Sequence, residues 1–137
     1  MIKVLVVDDH DLVRTGITRM LGDQEGIRVV GQADCGEEAV RLARELSPDV
    51  VLMDIRMPDM DGLEAAAHLD KMENPPAVIF CTAYEEHALQ AFRVHAVDYL
   101  LKPVGAQDLK RALDKARALN RVQIAELSHK MAANQSG

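Results

Sequence analysis

The chain has no excess of basic residues, almost no cysteine and no long apolar run, and each shortage removes a class of function. Sixteen lysines and arginines face 22 aspartates and glutamates, a formal net charge of -6 at pH 7. Nucleic acid and anionic membrane surfaces are held chiefly by clustered cations, so neither is an expected partner of this domain itself. Cys35 and Cys81 are the only cysteines, too few for a disulfide framework. They are expected as reduced, buried thiols, which suits a cytoplasmic protein. The first residues carry no charged segment followed by an apolar one, and no stretch approaches the roughly 18 apolar residues of a membrane span. A soluble protein without membrane contact is therefore expected. The five histidines, His10, His68, His87, His95 and His129, are scattered without ligand spacing, which argues against a zinc site.

What the chain does have is alternation. At 137 residues and 48% hydrophobic content it has the size of one compact domain. Short β-branched runs lie at 3–8, 28–33, 49–54, 77–82 and 97–102. Between and after them, amphipathic stretches at about 11–21, 36–46, 62–72, 85–94 and 105–118 read as helices. In the second helix Ala39, Leu42, Ala43 and Leu46 recur at helical spacing, with Pro48 placed to stop it. In the last, Leu109, Ala112, Leu113 and Ala116 make the inward stripe, with Lys110 and Asp114 as an expected ion pair. Strands alternating with helices predict an α/β, flavodoxin-like, doubly wound parallel sheet of five strands in the order 2-1-3-4-5, with five helices.

The residues that end these strands carry the functional signal. They are Asp8, followed by Asp9, then Ala33, Asp54, Thr82 and Lys102. In open parallel sheets, ligands bind beyond the carboxyl ends of the strands, where the strand order reverses. Taken singly, Asp9 reads as a helix N-cap, Thr82 as a strand residue and Lys102 as a solvated charge. Asp11 can serve as the cap instead, and four polar residues at equivalent strand ends are hard to explain by coincidence. Ala33, the exception, falls on an edge strand.

Electrostatics then defines what the cluster needs. Carboxylates about 5 Å apart at an effective dielectric of about 20 repel by about 3 kcal/mol per pair. Three of them therefore require protons or a cation, and Mg²⁺, with its preference for oxygen ligands, is the natural one. Lys102 adds a positive charge and Thr82 a hydroxyl. A metal, an ammonium and a hydroxyl around a carboxylate suit phosphoryl transfer, with Asp54, at the end of the central strand, as nucleophile. The loop "IRMPDMDG" is read as a flexible access route, and Met53, Met57 and Met60 as packing residues.

Over residues 2–118 the motifs "VLVVDDH", "DVVLMDIRMPDMDG", "FCTA" and "DYLLKP" resemble the receiver domain of bacterial two-component response regulators. That resemblance implies that Asp54 takes a phosphoryl group from a cognate histidine kinase. It implies that Asp8, Asp9, Asp54 and the main-chain carbonyl of Arg56 hold Mg²⁺, with Mn²⁺ as a substitute, and that Thr82 and Lys102 bind the phosphoryl oxygens. It further implies a cis peptide before Pro103 and a switch pair, Thr82 and Tyr99. That pair would alter the face made by the fourth helix, fifth strand and fifth helix, and phosphorylation would favour a homodimer. Arg56 and Tyr84 stand where they would influence phosphate lifetime.

The first half, with "VDDHDLVRTGITRML", is similar to receivers of the NarL and LuxR class. The second half, "PPAVIFCTAYEEHALQAFRVHAVDYLLKPV" with "NRVQIAEL", is similar to LytTR-class regulators of the AlgR type. The domain reading is a receiver over 1–118 and a linker or tail over 119–137, with the DNA-binding effector absent. Ile124, Leu127 and Met131 would extend the last helix as an exposed linker. A stand-alone receiver acting by protein–protein interaction or in a phosphorelay, and a phosphorylation-independent binding module, are the alternatives. An enzyme of the haloacid dehalogenase type is disfavoured, because a second acid two residues after the nucleophile would be required and Arg56 stands there.

Overall fold

The computed structural model describes residues 1–83 and 96–119. Five strands, β1 (Ile2–Val7), β2 (Ile27–Ala33), β3 (Val50–Met53), β4 (Ala77–Thr82) and β5 (Asp98–Leu101), form one sheet in the order β2-β1-β3-β4-β5. Every pairing is parallel. The helices are α1 (Asp11–Gly22), α2 (Gly36–Leu46) and α3 (Gly62–Asp70), and a final helix runs through residues 106–119. This is the expected fold. The helix expected over 85–94, the extension past 119, and Tyr84, His87, His95 and His129 lie outside the described residues. Among the described residues no helix is long and apolar enough to cross a membrane.

Alternate strand residues feed two cores, as a sheet covered on both faces requires. On one face Leu5, Val7, Val51, Met53, Val78 and Phe80 pack against Ala39, Ala43, Ala65 and Leu69 of α2 and α3. On the other, Val4, Val6, Leu52, Ile79 and Leu100 pack against Ile17 and Leu21 of α1 and against Leu109, Ala112, Leu113 and Ala116 of the final helix. All four residues of β3 are buried, which fits the centre of the sheet.

Local signals held unevenly. α2 stops at Leu46, with Ser47 in the left-handed region (φ 48°) and Pro48 beyond. α3 is capped by Asp61, whose carboxylate accepts the Glu64 N–H at 2.8 Å. At α1 the expected cap fails: His10 takes the cap position with no side-chain bond to the helix, and Asp11 begins the helix and pairs with Arg14 at 2.6 Å. In the final helix Asp108 pairs with Arg111; no ion pair joins Lys110 to Asp114 among the described residues. Cys81 is buried, whereas Cys35 is half-buried just before α2; both are free thiols. Burial pushes the Cys81 thiol up to about 12, so it stays protonated.

Candidate functional site

Main-chain bonds carry the sheet one residue beyond its strands and so place the site. The Asp8 N–H donates to the Ala33 carbonyl at 3.1 Å, the Asp54 N–H to that of Val7 at 3.0 Å, and the Lys102 N–H to that of Thr82 at 2.8 Å. Each side chain at the carboxyl end is thereby fixed by a neighbouring strand. Asp8, Asp54 and Thr82 are 1%, 5% and 0% exposed.

Lys102 is the hub. Its Nζ lies 2.7 Å from Asp8 Oδ2 and 3.0 Å from Asp54 Oδ2. Burial works against its charge, but the bonds to Asp8 and Asp54 outweigh burial and raise its pKa above the ordinary lysine value. The second oxygen of each acid is held by the backbone: Asp8 Oδ1 accepts the His10 N–H at 2.8 Å and Asp54 Oδ1 its neighbour's, Ile55 N–H, also at 2.8 Å. The Asp54 carboxylate plane is thus fixed.

Two polar atoms here are buried without a hydrogen-bond partner, Asp9 Oδ1 and Thr82 Oγ1. Buried polar atoms are nearly always satisfied, so an orphan marks a place where a ligand fits. One donor atom each from Asp8, Asp9, His10 and Asp54 all lie within 4.8 Å of one another. Three carboxylates against one ammonium leave an excess of negative charge, and hard oxygen donors with an unused lone pair are the set that Mg²⁺ takes. The residues therefore fit that ion.

The loop after β3, expected as a flexible access route, is anchored at several points. Ile55 and Met57 are buried, and the Gly62 N–H donates to the Ile55 carbonyl at 2.7 Å. A Cβ at Gly62 would stand 2.2 Å from the Asp54 carbonyl oxygen, so only glycine allows α3 to begin this close to the acid. Arg56 is exposed. Tyr99, on β5, is half-buried and packs on the cluster that holds Phe80, its register partner. Thr82 stands two residues beyond Phe80 and so on the same face of the sheet. The Lys102–Pro103 peptide is cis.

One contributor was missed. Arg14 donates to the Asp8 main-chain carbonyl at 2.6 Å, to Gln32 Oε1 at 3.1 Å and to Asp11 at 2.6 Å, tying the turn after β1 to the edge strand and to α1. Only the spacing from Asp11 to Arg14 was visible in the sequence.

With this geometry in hand, the likenesses to known proteins fall into place. Residues 4–114 match the response regulator receiver domain. The chain is similar to the positive alginate biosynthesis regulatory protein of Pseudomonas aeruginosa, 53% identical over 136 residues, covering 98% of this chain and 55% of that protein. It is also similar to the response regulator GacA of the same organism, 48% identical over 134 residues, covering 96% of this chain and 63% of that protein. Both likenesses run through both halves of the chain, which spans between half and two thirds of the length of either relative. Among solved structures, the signal receiver domain of the putative response regulator NarL from Mycobacterium tuberculosis superposes with a TM-score of 0.79 at 39% identity, covering 85% of this chain and 96% of that one.

Proposed function

The chain belongs to the response regulator receiver domain family, signalling modules of two-component systems, and from that premise we propose that Asp54 is its phosphoacceptor. The observation that carries the reading is the placement of Lys102 between Asp8 and Asp54 beside two unsatisfied buried oxygens. In the transfer, an Asp54 carboxylate oxygen forms a bond to phosphorus as the bond from phosphorus to the histidine nitrogen of the kinase breaks, and the departing imidazole takes up a proton. The Ile55 N–H holds the carboxylate in one orientation. Lys102 moves from balancing two acids to binding the phosphoryl oxygens, and the Thr82 hydroxyl gains the partner it lacks. Receiver domains bind Mg²⁺ at this acidic pocket. Here Asp8, Asp9, Asp54 and the Arg56 carbonyl would hold it, or Mn²⁺ in its place, and it would neutralise the charge that develops on the phosphoryl group.

The output follows from two states. Drawing Thr82 toward the new oxygens vacates space on the face it shares with Tyr99, and rotation of that ring changes the surface presented by β5 and the flanking helices. That surface is the one through which a homodimer forms and a DNA-binding effector of the LytTR class is controlled. The cognate histidine kinase is the upstream partner.

Intact-mass analysis after incubation with Mg²⁺ and acetyl phosphate tests the assignment. One added phosphoryl group is expected on the parent, none on Asp54→Asn, and none after chelation. An unmodified parent would overturn it in favour of a binding module that works without phosphorylation.

A further inference from the structure

We propose that His10 Nδ1 is a further ligand of the cation held at the carboxyl end of the sheet, and that it biases the site toward first-row transition ions relative to Mg²⁺. The proposal rests on the reading of Asp8, Asp9 and Asp54 as a cation site. It adds a donor of different chemistry, and with it a selectivity that the acids alone do not supply.

The geometry is that of one coordination shell. Donors bonded at about 2.0–2.3 Å to a common ion stand roughly 3 Å apart when adjacent and somewhat over 4 Å apart when opposite. His10 Nδ1 is 3.0 Å from Asp9 Oδ1 and 3.2 Å from Asp8 Oδ1, both adjacent-donor spacings. The whole set, Asp54 included, fits within 4.8 Å. Asp9 Oδ1 makes no hydrogen bond even with the ring nitrogen beside it. The two atoms are close but misaligned for a bond to each other, as two donors facing a third body are.

The turn is built to hold that arrangement. The His10 N–H donates to Asp8 Oδ1 at 2.8 Å, and Arg14 fixes the Asp8 carbonyl at 2.6 Å. The imidazole itself stays 66% exposed, so it reaches the cleft without a large desolvation cost. With the ring hydrogen on Nε2, the Nδ1 lone pair is free to ligate; with it on Nδ1, the ring donates to Asp8. Carboxylates and carbonyls suit Mg²⁺ and Mn²⁺, whereas imidazole suits nickel, zinc, copper and iron, with affinities that rise along the series from manganese to copper.

Calorimetric titration of the whole chain with Ni²⁺ and with Mg²⁺, at one fixed pH, reads the selectivity directly. In His10→Ala the ratio of nickel to magnesium affinity is expected to fall roughly tenfold or more, the scale on which changes around a metal shift affinity. Electron spin-echo spectroscopy of the Mn²⁺-loaded parent reads the bond: nitrogen modulation is expected, altered by isotopic labelling of histidine and absent in His10→Ala. The labelled parent keeps the test decisive if the variant folds poorly. Mn²⁺ that binds through Asp54 without nitrogen modulation overturns the proposal and leaves the acidic cation site standing, as does modulation that survives in His10→Ala. Binding of neither ion, or binding that Asp54→Ala leaves untouched, overturns the cation site and the proposal with it.

Discussion

At the amino end of the sheet the half-buried Asp49 is tied into the ladder: its carboxylate accepts the Lys3 N–H at 2.9 Å, its N–H donates to the Lys3 carbonyl at 2.8 Å, and its carbonyl accepts from Ala77 at 3.0 Å. At the carboxyl end Asp8 and Asp54 are buried more deeply around one lysine, and Asp9 Oδ1 and Thr82 Oγ1 have no hydrogen-bond partner. The same strands thus close one end as structure and leave the other unsatisfied. Polar atoms left unpaired inside a protein cost free energy, so the difference separates the end that holds the fold from the end proposed to take a ligand.

Removing the hub should produce the largest effect. Lys102→Met leaves Asp8 and Asp54 facing each other without a counter-ion, and stability at neutral pH should fall by about 2–3 kcal/mol. That is below the usual figure for breaking a buried pair, because the lysine side chain is partly open to water. Urea melts with and without Mg²⁺ check it, with Mg²⁺ expected to restore part of the loss. The pH dependence has a fixed sign. The folded-state pKa of Lys102 is raised, so its contribution is present in full below the ordinary value of 10.5 and fades as pH climbs above it. Parent and variant should therefore converge in strong alkali; a constant gap would mean that the lysine acts by packing.

At the opposite end, Asp49→Ala should cost about 1.5–2 kcal/mol, the lower part of the scale for a hydrogen bond to a charged acceptor because Asp49 is only half-buried. The same melts should show this loss to be indifferent to Mg²⁺. Recovery with the metal would erase the distinction between the two ends.

The smallest change is also the most diagnostic. Thr82→Val replaces an unpaired buried hydroxyl with a methyl group of the same shape, so stability should hold or rise by up to about 1 kcal/mol. Phosphate uptake by mass should persist, while the shift in dimerisation on phosphorylation, read by sedimentation, weakens more. A clear loss of stability would show that the hydroxyl already has a structural role.

Much of this was legible along the chain. Short β-branched runs placed all five strands within a residue or two, and reading the residue that ends each run gave Asp8, Asp54 and Lys102 because the sheet ladder carries on through them. Final-helix burial was equally plain, with Leu109, Ala112, Leu113 and Ala116 all inward. Less was visible where several elements meet. The α1 cap went to His10 and not to Asp11 because the turn after β1 is shaped by Asp8, whose carboxylate takes the His10 N–H. The loop after β3 was read as a flexible access route with Met57 packing; Met57 is indeed buried, and what the letters did not show is that Gly62 closes on the Asp54 carbonyl.

Short apolar runs alternating with amphipathic stretches dictated the elements, their parallel arrangement and the acids at the strand ends, since a strand buried on both faces and a helix of period 3.6 each show in a short window. Which charges meet depended on three dimensions. Lys102 reaches Asp8 across 94 positions and Asp54 across 48, and Arg14 grips a carbonyl, an amide side chain and an acid from three separate elements. Distances of that kind are set by how strands order themselves in the sheet, and so only the folded chain decided that one ammonium would stand between two buried carboxylates while a neighbouring oxygen and hydroxyl were left unpaired.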